Sequence, residues 1–232
     1  LYFMPILETE EVINYETRPS VLTELVKILD PVKELVLNVR IGATDFSGLF
    51  GLRRNSDNTV YDIAILRECI ADIVNCFARI DRDYVISGPV WEYFGHDERL
   101  MKPRLRTTPF FNRYGEKGVI KRKKMLNKYL DGLIYEASFD NINGLTGKTV
   151  IHPSHIIPVQ SLLPVAYEDY IDAKNIVESG QGNNGVFKSK LGNKMNEVKP
   201  HMFWAKKTII KGHVYGVLNE HIDYTSLLIN IN

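Results

Sequence analysis

Apolar positions along the chain switch between two periods. Short runs of four to eight residues, continuous or alternating, are separated by longer stretches in which they recur every three or four residues. The first run, residues 1–7 (Leu-Tyr-Phe-Met-Pro-Ile-Leu), reads as a buried strand. Val21, Leu22, Leu25, Val26 and Leu29 then follow at helical spacing, with Pro19 at the helix start and Asp30-Pro31 as its stop. Residues 34–41 alternate: Leu35, Leu37, Val39 and Ile41 share one face, while Val36, Asn38 and Arg40 take the other. A helix over 60–79 carries Ile63, Leu66, Ile70, Ile73, Val74 and Phe77. A third strand at 84–87 leads into Gly88-Pro89 and the aromatic residues Trp91, Tyr93 and Phe94. Then come a helix near 123–137, a fourth strand at 149–151, a helix over 165–179 stopped by Gly180, and a last helix over 200–218.

Strands alternating with helices predict β-α-β units and a parallel sheet. Four units are half of an eight-stranded barrel, and in a barrel Asn38 and Arg40 would face the interior. No glycine-rich dinucleotide fingerprint follows a strand, which argues against a Rossmann domain. The expected division is a barrel half over 1–179, with a basic insertion at about 95–128, then a linker and helical extension over 180–232. A core strand as the opening feature suggests a sequence that begins inside a larger domain.

Composition adds bounds. With 232 residues, 44% hydrophobic and 25% charged, the chain has an ordinary globular make-up. A net charge of +1 gives no bulk attraction to nucleic acid or membrane, so a membrane partner is not expected and nucleic acid is disfavoured. Cys69 and Cys76 lack metal-ligand spacing and are too few for a disulfide framework; they read as reduced core thiols of a cytoplasmic protein.

Two carboxylates fall where a parallel barrel places its chemistry, at the C-terminal ends of strands. Glu8 ends the first strand and Asp45 follows the second. Such a pair, with water and substrate in the remaining positions, is one way to hold Mg²⁺; a surface carboxylate and a helix N-cap are the plainer readings. Arg40 could bind a substrate carboxylate bidentately or sit in a buried ion pair. His152, before Pro153, could act as general acid/base or simply pack. Lys148 is expected deep in the barrel, where it could bind substrate or, as an amine, form a Schiff base.

Three segments in order carry a resemblance: Pro5-Ile6-Leu7-Glu8-Thr9; Ile41-Gly42-Ala43-Thr44-Asp45 running on to Leu49-Phe50-Gly51; and Gly147-Lys148-Thr149-Val150-Ile151-His152-Pro153. They resemble the metal-ligand strands and the last strand of the HpcH/HpaI aldolase and citrate lyase β-subunit family. Closest are its divergent C–C bond lyase-like barrels associated with tellurium-resistance gene clusters. The resemblance implies the C-terminal half (strands 5–8) of an α/β TIM (β/α)8 barrel. It further implies a metal-dependent lyase or aldolase using Mg²⁺ (or Mn²⁺) on a keto acid or acyl thioester, through a stabilised enolate. On it Glu8 and Asp45 are the metal ligands, and a metal enolate is preferred to a Schiff base on Lys148. The family's C-terminal region packs on a neighbouring subunit, implying a homo-oligomer. This chain departs from the pattern in a longer Glu8–Asp45 interval, in His155 where Gln is usual, and in a long insertion.

That insertion is strongly basic. From 99 to 128 it holds Arg99, Lys102, Arg104, Arg106, Arg113, Lys117, Lys121, Arg122, Lys123, Lys124 and Lys128 against the single acid Glu116. Lys102, Arg104 and Arg106, interleaved with apolar anchors, are candidates for a phosphate-bearing substrate. A non-catalytic phosphate- or RNA-binding barrel is the rival reading, with Phe110, Phe111 and Tyr114 as stacking groups but no RNA-binding motif.

Overall fold

Parallel pairing begins at the third residue. Phe3 bridges to Val36, and β1 (Ile6–Leu7) pairs with β2 (Val39–Ile41) in the register Ile6↔Arg40 and Leu7↔Ile41. Between them lie a one-turn helix α1 (Glu10–Ile13) and α2 (Arg18–Leu29), with Pro19 in its first turn and a 3₁₀ segment, Asp30–Leu35, after it. A seven-residue helix, α3 (Ala43–Leu49), follows β2 directly. A 3₁₀ turn (Val60–Asp62), closed by a Thr59/Asp62 capping box, leads into α4 (Ala64–Phe77). β3 (Ile86–Ser87) pairs with β2, so the sheet order is β1-β2-β3.

The computed structural model describes residues 1–94, 113–118, 120, 128–180, 185–190 and 192–229. Lys102, Arg104 and Arg106 lie outside the described residues. Later in the chain come α5 (Lys128–Ile142) and a 3₁₀ turn, Pro153–His155.

Side-chain alternation decides which sheet face is covered. Leu7, Val39, Ile41 and Ile86 point one way and pack with Leu22 and Val26 of α2 and Leu66, Ile70, Ile73 and Phe77 of α4 in one core. Ile6, Arg40 and Ser87 share the opposite face by register, the face expected to look into a barrel. Among the described residues the sheet does not close.

Several expectations shift. The strand expected at 149–151 shrinks to one bridge, Lys148 to Gly88, flanked by bonds from Gly88 N–H to Gly147 O and from Thr149 N–H to Gly88 O, both 3.0 Å. Val150 and Ile151 are exposed. The first strand is buried only at Leu7; Leu1 to Met4 are exposed although apolar. Cys69 is buried against the Val12 carbonyl, Cys76 is half-buried, and both are free thiols. Burial pushes the Cys69 thiol up to about 11.

The chain divides into two compact units, residues 1–159 and 160–232, with α6 (Ile156–Ser161) spanning the boundary. In the second unit α7 (Tyr167–Ser179) and α8 (Val198–Tyr215) pack through Ala173, Ile176 and Ala205, beside a hairpin of β4 (Val186–Lys188) and β5 (Met195–Glu197). Gly180 caps α7 with φ −63°, so it is not the left-handed stop expected; Gly216, at φ +86°, is that stop for α8. A short helix, α9 (Thr225–Ile229), follows. No helix among the described residues is long and apolar enough to cross a membrane.

Candidate active site

The end of β1 and the start of α3 meet at Gly42. Its N–H donates to Leu7 O at 2.8 Å, laying the turn against the strand end. A Cβ on Gly42 would overlap Glu8 Cβ and come 3.1 Å from Asp45 Oδ2. The absent side chain therefore lets the Glu8 stem and the Asp45 carboxylate approach each other here. Asp45 is the third residue of α3, whose N-cap is Gly42, so it is not spent on capping. Glu8 and Asp45 are exposed, and neither has a hydrogen-bond or ion-pair partner among the described residues.

Two unengaged carboxylates on neighbouring strand ends suit a hard divalent cation whose other positions go to water and substrate. Among the described residues no group of three or more His, Cys, Asp or Glu is placed to hold a metal.

Arg40 stands on the inner face of β2, half-buried, its guanidinium without a partner among the described residues. Among the described residues it forms no ion pair. Asn38, two residues earlier, holds its Oδ1 buried and without a hydrogen bond.

The 3₁₀ turn after the Lys148 bridge supplies imidazoles. The Ser154 N–H donates to His152 Nδ1 at 3.3 Å, so the neutral ring carries its proton on Nε2. That ring stacks on Phe94 at 4.4 Å between centroids and 4° between planes. His155 is fully buried and donates from Nε2 to Tyr93 O at 3.1 Å, leaving Nδ1 a buried acceptor with no partner. Burial pulls its pKa below the ordinary 6.5, and the nearby His152 and Lys148 charges add to that.

Lys148 faces two acids of α5. Its Nζ lies 2.7 Å from Asp140 Oδ2 as a hydrogen bond, and 2.7 Å from Glu136 Oε1 as an ion pair without hydrogen-bond alignment. Glu136, 0% exposed, also binds Arg54 and accepts the Val60 N–H at 2.8 Å. Asp140, 1% exposed, accepts the Tyr61 hydroxyl at 2.7 Å. Burial holds the Asp140 carboxyl above the usual carboxylate range against the pull of Lys148, and burial beside Asp140 pushes the Tyr61 phenol up. Arg54 lies over the Trp91 ring at 5.1 Å, binds the Val90 carbonyl and reaches Glu92 Oε2 at 3.5 Å; Thr44 Oγ donates to Glu92 Oε1 at 2.8 Å.

The structure thus brings together Glu8 and Asp45, sets Arg40 on the inner face of the same sheet, and ties Lys148 into a buried charge cluster. Sequence reasoning missed Arg54, Glu92, Glu136 and Asp140. One signal existed: Glu136 and Asp140 are four apart, one above the other, in a helix otherwise buried through Leu133, Ile134 and Ala137.

No curated protein matches the chain. A family model does, that of the C–C bond lyases of the TIM-barrel fold, over residues 1–217. Nearly the whole chain, including the three strand ends that carry Glu8, Asp45 and His152, falls within that match, and the protein belongs to the C–C bond lyase family of the TIM-barrel fold.

Proposed function

We propose that the protein is a carbon–carbon bond lyase that uses Mg²⁺ or Mn²⁺, held by Glu8 and Asp45, to cleave a keto acid or related acyl substrate. The observation that carries this is the approach of Glu8 and Asp45 at Gly42, whose missing side chain leaves room for Glu8 Cβ and Asp45 Oδ2, with neither acid engaged among the described residues. Family membership supports the bond class, and the resemblance to HpcH/HpaI aldolases and citrate lyase β-subunits supports the metal and the keto acid.

When bound, the metal would supply Lewis-acid stabilisation of the negative charge that develops on the substrate as the C–C bond breaks. Arg40 offers its planar donor fork to a substrate carboxylate from the inner face. His152, its ring fixed by Phe94 and Ser154 with the proton on Nε2, is the group that gives or takes the proton. Lys148 acts from below: by pairing Glu136 and Asp140 it fixes α5 against the strand ends. On this reading the four parallel strand positions correspond to strands 5–8 of the barrel. Lys102, Arg104 and Arg106 grip a phosphate on the substrate, and the working form is a homo-oligomer.

The test is Mn²⁺ binding followed by electron paramagnetic resonance, with and without oxalate as an enolate mimic. Saturable Mn²⁺ binding whose spectrum changes with oxalate, and which is lost in Glu8→Gln and Asp45→Asn, is the expected result. Mn²⁺ binding that survives in both variants would sink the assignment.

A further inference from the structure

A cavity of about 260 Å³ opens at the ends of β2 and β3, lined by Thr44, Ser47, Gly48, Arg53, Arg54 and Glu92. Its charges are unequally served. Arg54 is spent on Glu136, Glu92 and the Val90 carbonyl. Glu92 is held by Thr44 and Arg54. Arg53, adjacent in sequence, is exposed, and its guanidinium has no partner among the described residues. The cavity wall therefore holds a paired Arg54 and Glu92 and, among the described residues, one cation without a partner.

We infer that this cavity is an oxyanion subsite in which Arg53 binds a carboxylate or phosphate group at the end of the substrate remote from the bond that breaks. This rests on the lyase reading for the word substrate, not for the anion.

Three features argue for it. The guanidinium fork matches a carboxylate or phosphate bidentately and keeps its charge at any working pH. The clamped Glu92 leaves the cavity a hydrogen-bond acceptor for a hydroxyl, and Arg54, shared with Glu136, offsets part of its charge and so weakens its repulsion of the anion. And the volume falls just below the roughly 300–1,000 Å³ of sites for drug-sized ligands, which fits a small acid and excludes a whole coenzyme thioester from this space. Thr44 in the cavity wall is the sequence neighbour of Asp45 in the first turn of α3. Arg53 would then select substrates by their second anionic group.

The experiment is calorimetric titration of malonate and of inorganic phosphate into the full chain without added metal, for the wild type, Arg53→Ala and Arg53→Lys. The wild type binds one or both anions, and Arg53→Ala loses about tenfold or more in affinity, the worth of a charged hydrogen-bonded pair. Arg53→Lys recovers only part of it, because an ammonium lacks the fork. Tighter binding of malonate assigns the subsite to a carboxylate end; tighter binding of phosphate assigns it to a phosphorylated one. A wild type that binds neither anion, or an Arg53→Ala variant within about twofold of the wild type, overturns the inference. Mn²⁺ binding to the same variants is measured in parallel and stays at the wild-type level. Failure of the wild type to bind Mn²⁺ would remove the metal reading and leave the anion result standing.

Discussion

Two pairs of carboxylates in the same unit have opposite fates. Glu136 and Asp140, one turn apart on α5, are sealed from water and met by Arg54, Lys148, Tyr61 and the Val60 amide. Glu8 and Asp45, on separate strand ends, are exposed and meet nothing among the described residues. A buried acid must be satisfied or the fold fails; an exposed one is stable alone and remains available. The difference separates carboxylates that hold this molecule together from those positioned to act on something else.

The contrast can be broken most forcefully at Glu136. Glu136→Ala leaves Arg54 and Lys148 as buried cations short of a partner and is expected to cost about 3–5 kcal/mol, read as a fall in the urea midpoint. A wild-type midpoint would show the cluster to be solvated and the comparison mistaken. Gly42→Ala comes next. Its methyl group must displace Glu8 or the turn, for about 1–3 kcal/mol, and Mn²⁺ affinity falls with it. A smaller stability effect belongs to His155. Its folded pKa lies below 6.5, so its contribution is present above that value and is lost as pH falls through it. His155→Gln should show less acid destabilisation than the wild type in parallel urea melts, and an unchanged pH dependence would contradict the burial argument. Least disturbing to the fold are Glu8→Gln and Asp45→Asn, each expected within about 0.5 kcal/mol of wild type. In metal binding the order reverses: these two conservative changes have the largest effect. A large loss of stability in either would mean that the exposed pair is structural after all.

Much of this arrangement was legible in the sequence. The alternation through Asn38, Val39, Arg40 and Ile41 fixes which residues face the helices, because period two leaves no other choice once Val39 and Ile41 are apolar. Glu8 could be placed because it directly follows an apolar strand, and Asp45 because it lies four residues beyond the end of the next. What stayed hidden depends on long-range pairing. Arg54 and Glu136 are 82 residues apart, and no local pattern reports that they touch. The apolar run at 1–4 promised burial, yet hydrophobicity alone does not say what would cover it. Gly180 looked like a helix stop, but its small size serves packing instead: a Cβ there would overlap Met202 Cε. Lys148 was expected deep in a barrel; its side chain is buried, against two acids of α5 that the sequence did not announce.

One consequence of the sheet register concerns tolerance to change. Glu8 and Asp45 are tied by backbone bonds between strands, from Arg40 N–H to Pro5 O and from Gly42 N–H to Leu7 O, both 2.8 Å, and not by the segment that joins them. That segment, with α2 and the 3₁₀ turn, can therefore gain or lose residues at its solvent side without moving either acid, since loop length adds only slowly to the entropy of closure. The interval between the two acids is then a place where a reporter or a second binding module could be grafted beside the sheet.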